Sequence, residues 1–190
     1  MSKASTQWEK SAISYQNFID YISNKNGEFD LTLIDLLFVK NFKGGNATIN
    51  EKASIVNAKL KAYSNFLVGI NREFGKKQLR DLTTEQLESI KTHAKTFLSL
   101  TTDENTSIDG LKSSYASALL HFYFPNLIPI LDRRVLNGAK ISVEKNSQGQ
   151  VIDIQKHYPE LIDKFYKYLK VYPEKSLRDY DKECFIKSIK

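Results

Sequence analysis

Residues able to do chemistry concentrate in one stretch, SIDGLKSSYASALLHFYFPNLIPILDRRVLNG, residues 107 to 138. It opens with a turn around Gly110 and runs into a small-residue helix carrying Ser114, Ala116, Ser117 and Ala118. A glycine turn feeding a helix presents backbone N–H groups that bind an anion, phosphate above all; it also serves as an ordinary connection between two helices. Small side chains on the helix permit close approach of another helix or of a ligand backbone. After Pro125 the apolar run Leu127-Ile128-Pro129-Ile130-Leu131 ends at Asp132, in front of a further helix. A carboxylate there caps the helix. The same group can sit partly desolvated at the start of that helix. Arg133 and Arg134 follow at once as surface residues, with Lys140 beyond them.

The elements that position these groups read as helices almost throughout. From Glu51 to Phe74, apolar residues at Ala53, Val56, Leu60, Tyr63, Leu67, Ile70 and Phe74 form one stripe behind a cap at Asn50. A second helix spans Thr84 to Leu100, opened by a capping box of Thr83 and Gln86, with Leu87, Ile90, Ala94, Phe97 and Leu98 on its buried face. Asp30 to Val39 is apolar enough for a central helix covered on most sides, or for a short buried strand. Upstream, Ala12, Tyr15, Phe18, Ile19 and Ile22 mark an amphipathic helix ended by Asn26-Gly27. Ser114 to Tyr123 reads as a mostly buried helix stopped by Pro125. Two more follow, Pro159 to Val171 and Leu177 to Ile189, the latter capped by Ser176 with Asp179. The exception is residues 141–154, ISVEKNSQGQVIDI, whose alternation about Asn146-Ser147-Gln148-Gly149 predicts a small two-stranded β-hairpin insertion. One mainly α domain over residues 1–190 is expected, without repeats or linkers.

Composition excludes several function classes. At 190 residues, 41% hydrophobic and 26% charged, the chain is long and apolar enough to bury a core. The sequence has no apolar run of membrane-span length, and MSKASTQWEK opens polar, so a cytoplasmic protein without a membrane partner is expected. Cys184 is the sole cysteine, which rules out an internal disulfide and any four-cysteine zinc or iron–sulfur site. His93 and His157 lack partners at metal-ligand spacing, so no metal or cofactor is expected. The net charge of +6 permits an anionic partner without requiring one. The segment Asn41-Phe42-Lys43-Gly44-Gly45-Asn46 lacks P-loop spacing and reads as a tight loop.

Taken together, IDGLKSSYA, residues 108–116, and IPILDRRV, residues 128–135, resemble the helix–hairpin–helix DNA glycosylase superfamily, whose signature is an LPGVGxxTA-like hairpin followed by a PxxD or AVD element. Ile108, Gly110, Leu111 and Ala116 fall on the hairpin positions, and Asp132 on the family's catalytic carboxylate, with no gap between Ala116 and Asp132. The tail SLRDYDKECF, residues 176–185, looks like the closing segment of glycosylase-like bacterial proteins with an LR-x-x-DK pattern. The resemblance implies a helix–hairpin–helix glycosylase-like domain that binds DNA and releases a damaged or mismatched base in base excision repair.

On that resemblance Asp132 is catalytic. Gly110, Lys112, Ser113 and Ser114 meet phosphate together with Arg133 and Arg134, and Tyr115, His121 and Tyr123 stand near a pocket for the extruded base. A DNA-facing role for the loop at 41–46 is likewise implied only by the resemblance. His121 has a second reading as a hydrogen-bonded core residue, and Phe122 and Phe124 belong to the core. Departures from the family carry information too. Ser114 stands where bifunctional members carry a lysine, and serine forms no Schiff base, so no lyase activity is expected. Lys112 replaces the hairpin's second glycine, adding a Cβ but also a charge for phosphate. Asp35 is the nearest candidate for the second carboxylate of adenine-removing members, set against a plain helix-surface role. A non-catalytic module that binds nucleic acid or a protein partner is the alternative function.

Overall fold

The computed structural model describes residues 3–25, 28–45 and 47–188. Recurrence of apolar residues every three to four positions folds them into α1 (Lys3–Ser23), α2 (Leu33–Phe42), α3 (Ala53–Phe74), α4 (Thr84–Ser99), α5 (Ser113–Tyr123), α6 (Arg133–Gly138), α7 (Tyr158–Val171) and α8 (Leu177–Lys187). Short 3₁₀ turns lie at Leu79–Asp81 and Ile154–His157. The molecule is thus mainly α-helical, and among the described residues no helix is long and apolar enough to cross a membrane. The expected helix end at Asn26-Gly27, the loop residue Asn46 and the helix terminus at Ile189 lie outside the described residues.

Local signals act as the sequence predicts where the interaction spans three or four residues. Thr83 with Gln86 caps α4, and Ser176 with Asp179 caps α8, both as complete capping boxes. The stripe Val56, Leu60, Tyr63, Leu67, Ile70 and Phe74 is the buried face of α3. Asn50 does not cap that helix: Lys52 holds the N-cap position, and Asn50 instead donates from Nδ2 to Asp109 at 3.0 Å. The 30–39 stretch is helical only from Leu33, behind a capping box of Thr32 and Asp35, and is not a strand. Nor is it covered on most sides, since Ile34 and Leu37 are about half exposed.

Residues 141–154 form a turn rather than a pair of strands, closed by one antiparallel bridge between Lys145 and Val151. Asn146 Oδ1 accepts the N–H groups of Gln148 and Gln150, a local alternative to a ladder. Of the alternating apolar residues only Ile141 is buried, and Ile152 is exposed, so no second layer rewards longer pairing.

Helix α5 lies at the centre and packs against α1, α2 and α4. Beside it the extended segment 127–131 is buried, and its backbone polar groups need partners in a region that excludes water. Three side chains supply them. Ser117 Oγ accepts the Leu131 N–H at 3.0 Å, a His121 ring nitrogen donates to the Ile128 carbonyl at 2.6 Å, and the Tyr158 hydroxyl donates to the Pro129 carbonyl at 2.7 Å. These contacts explain a serine and a histidine inside an otherwise apolar helix, and they fix Asp132 next to the start of α5. At Gly138 there is no room for a side chain, because a Cβ there would overlap the Cys184 carbonyl. Helix α6 therefore packs backbone to backbone on α8, which brings Asp132 alongside Arg178 and Asp181.

Candidate functional site

Between α1, the turn after α2, the first turns of α5 and α6, and α8 lies a cleft of about 1170 Å³. Lys10, Lys43, Lys112, Arg133, Arg134 and Arg178 line it against the carboxylates Asp132, Asp153 and Asp181, so its walls carry an excess of positive charge. A low-dielectric cleft of one sign concentrates ions of the other.

Asp132 sits at the N-cap of α6, where Oδ1 accepts the Arg134 N–H at 2.9 Å. The capping reading of this residue is thus realised. Oδ2 pairs with Lys43 Nζ at 2.5 Å, and the carboxylate remains 27% exposed, reachable from the cleft. Burial alone pushes its carboxyl up, but Lys43 and the Arg134 N–H outweigh burial and hold it below the usual carboxylate range. Lys43 comes from the turn after α2, where Gly44 and Gly45 take left-handed φ values of +91° and +76°. The loop is a tight turn, in which the Gly45 N–H donates to the Lys40 carbonyl at 2.8 Å, and it lines the cleft.

Asp181 and Arg178 lie three residues apart on α8 and form an ion pair. Burial raises the Asp181 carboxyl to about 6; Arg178 pulls it down, and Asp132 pushes it up. One cleft therefore holds a carboxylate kept ionised and another that carries its proton into mildly acidic pH, the division of roles that acid–base chemistry needs. The Arg178 guanidinium is boxed by aromatic rings, 3.8 Å from the Trp8 centroid, 4.5 Å from Tyr15 and 5.4 Å from Phe42. Trp8 in turn meets Phe185 at 5.4 Å, and Phe185 carries Arg134 on its ring at 4.8 Å.

His121 is a core residue and not part of the pocket. Its Nδ1–H donates to Ile128, which leaves Nε2 to accept the Tyr15 hydroxyl at 3.1 Å, so the hydrogen bonds assign the neutral Nδ1–H tautomer. Burial drives its pKa down to about 3. Through Tyr15 it supports the box around Arg178. Asp35 is neither a helix-surface residue nor a cleft residue. It is wholly buried, and Lys25, the Tyr123 hydroxyl and the Thr32 N–H and hydroxyl all donate to it. Tyr123 is thereby committed to the Asp35 cluster, and Phe122 and Phe124 are buried in the core.

Ser113, Ser114, Tyr115, Lys112, Arg133 and Arg134 do line the cleft, and the N-cap residue of α5, Lys112, makes no side-chain cap to its first turn. Arg133 reaches across to donate to the Gly149 carbonyl at 3.1 Å. The turn at Gly110 exists, with φ +87°, but it faces the chain's own 48–51 segment: a Cβ at Gly110 would overlap the Thr48 carbonyl oxygen. The Asp109 N–H already donates to the Glu51 carboxylate at 2.7 Å, and Lys59 braces Glu51 from the other side. Lys59 and that N–H hold the Glu51 carboxyl below its usual range. Lys140 takes a left-handed φ after α6 and stands outside the cleft.

His93 pairs with Glu73 at 2.7 Å, and among the described residues no group of three histidine, cysteine or carboxylate side chains could hold a metal. The residues that sequence reasoning did not single out are Lys43 as the partner of Asp132, and the pair Arg178 and Asp181. The signal for that pair was the LR-x-x-DK tail, whose spacing sets both on one helix face. Compared with known proteins, the chain matches no family model, no curated protein and no solved structure.

Proposed function

We propose that the chain binds DNA in the cationic cleft and hydrolyses the N-glycosidic bond of a damaged or mismatched base, as a monofunctional glycosylase of the helix–hairpin–helix type. The observation that carries this reading is Asp132: ionised, reachable, and set among Lys43, Lys112, Arg133 and Arg178 in a cleft large enough for an extruded nucleotide. The cations hold the strand by its phosphates, independently of sequence. A base turned out of the stack enters the cleft at a cost of a few kcal/mol. As the glycosidic bond breaks, positive charge develops on the sugar, and a fixed carboxylate in a low-dielectric site stabilises that charge more than it stabilises the ground state. With Ser114 at the start of α5, no Schiff base forms there, in keeping with hydrolysis alone.

The second reading is a non-catalytic module that binds nucleic acid or a protein. Two contacts favour it. Lys43 neutralises Asp132, and Glu51 occupies an N–H of the 108–111 turn that phosphate would need.

Single-turnover incubation with duplexes that each carry one modified or mismatched base, followed by alkali to reveal abasic sites, separates the readings. Asparagine still caps a helix, so Asp132→Asn should keep the fold and hold DNA affinity within a few-fold while slowing base release by about 10²–10³-fold. Salt-sensitive binding without release by the wild-type protein supports the module instead. Loss of folding in Asp132→Asn assigns the carboxylate to the structure, through its ion pair with Lys43.

A further inference from the structure

We infer that Arg178, held in its aromatic box, is a phosphate-binding residue at the floor of the cleft, and that Asp181 occupies its guanidinium until a phosphate ester arrives. The inference deepens the proposed nucleic-acid function and rests on it for the ligand class. Four observations carry it.

A guanidinium has five N–H donors. Arg178 commits Nη1 to Asp181, while its Nη2 is shielded from water and meets no acceptor among the described residues. An orphaned donor on a buried cation calls for an explanation, and a missing anionic ligand is one. Second, the rings of Trp8, Tyr15 and Phe42 come from α1 and α2, whereas Arg178 is on α8. Three elements thus converge to immobilise one side chain, and a fixed planar fork loses little freedom when it takes two phosphate oxygens at once.

Third, the carboxylate paired with Arg178 is the one that burial makes reluctant to ionise, since its carboxyl rises to about 6 despite the arginine. Asp181 is therefore a weak competitor for the guanidinium. The charged groups around it are Arg178 on its own helix, Asp132 at the start of α6 and Lys43 from the turn after α2. Finally, Lys43 and Lys112 line the same cleft, so an anion reaching Arg178 enters a field already favourable to it.

Trp8 is the sole tryptophan and lies against Arg178, so its fluorescence reports directly on the site. Binding of a short labelled single-stranded oligodeoxynucleotide would be followed by anisotropy, and binding of a 5′-mononucleotide by Trp8 fluorescence. Three variants would be compared, each checked for its fold by far-UV circular dichroism. Arg178→Lys keeps the charge opposite Asp181 but loses the planar fork, and should weaken both ligands about tenfold with an unchanged salt slope. Asp181→Asn removes the competing charge and leaves only a neutral amide oxygen for a phosphate to displace, and should tighten both about threefold or more. In the double variant the gain should largely vanish, because it depends on the arginine.

Unchanged affinity in folded Arg178→Lys would overturn the inference, as would an equal gain from Asp181→Asn in the presence and absence of Arg178. Failure of the wild-type protein to bind either ligand would overturn it as well. Arg178-dependent binding of the mononucleotide without binding of the oligonucleotide would uphold the phosphate site and remove the nucleic-acid strand reading. The lysine and asparagine variants preserve charge and shape respectively, so a purely structural role for Arg178 predicts no opposite-signed pair of effects.

Discussion

Two buried groups of the site region titrate in opposite directions, and replacing one of them exposes the other. His121 is 2% exposed, and its pKa falls from 6.5 in the unfolded chain to about 3 in the fold, because burial penalises the imidazolium and Arg178 adds to that penalty. A folded pKa below the unfolded one means that stability is lost as pH falls through the unfolded value. Between about pH 7 and about pH 4.5 the unfolded chain takes up this proton and the folded chain does not, which costs about 2–3 kcal/mol.

Asp181 is 5% exposed, and its folded pKa of about 6 lies above the unfolded 3.8. Here the folded chain takes up the proton first, and the same acidification returns about 2 kcal/mol. In the wild-type protein the two terms nearly cancel. Asp181→Asn keeps an oxygen for Arg178 and abolishes the carboxylate titration, leaving the histidine term alone. The variant should therefore lose about 2 kcal/mol more than wild type over that pH range. Carboxyls held low in the fold by partners other than Asp181, such as Glu73 and Asp179, are common to both proteins and drop out of the difference. Urea unfolding across the pH series, followed by Trp8 fluorescence and by far-UV circular dichroism, gives the free energies directly. Parallel pH profiles for the two proteins would refute the reasoning and show that Asp181 ionises in the fold as it does in the unfolded chain.

Two structural contacts yield further expectations. Gly138→Ala drives a methyl group into the Cys184 carbonyl, backbone against backbone, and should cost about 3 kcal/mol, seen as a Tm lower by about 6–12 °C in calorimetry; an unchanged Tm would mean that α6 and α8 are not in direct contact. Lys25→Ala leaves the fully buried Asp35 without its cation and should destabilise the protein by about 3–5 kcal/mol in urea titrations, whereas a loss below about 1 kcal/mol would place Asp35 in water.

Much of the helical framework was legible because its causes are local. The capping boxes of α4 and α8 and the stripe of α3 depend on side chains within one or two turns of each other, and so does the cap that Asp132 makes with the Arg134 N–H. The same locality explains the misreadings. Asn50 has the chemistry of a cap, yet a partner 59 residues away holds it. Residues 141–154 alternate as a strand does, but alternation stabilises a ladder only where one face has something to bury against. Asp35 looks like a surface carboxylate until Lys25 and Tyr123, the latter 88 residues distant, close over it.

The site divides along the same line. From the sequence alone came a mainly helical chain, a carboxylate at the mouth of a helix, and small residues that let a neighbouring segment pack closely. Which charges meet that carboxylate was decided by tertiary structure: Lys43 reaches Asp132 across 89 residues, and Arg178 reaches the rings of α1 and α2 from the far end of the chain. Only the packed fold brings those groups together and withdraws them from water, and it is the loss of water that makes the resulting electrostatics strong enough to set one carboxyl low and its neighbour high.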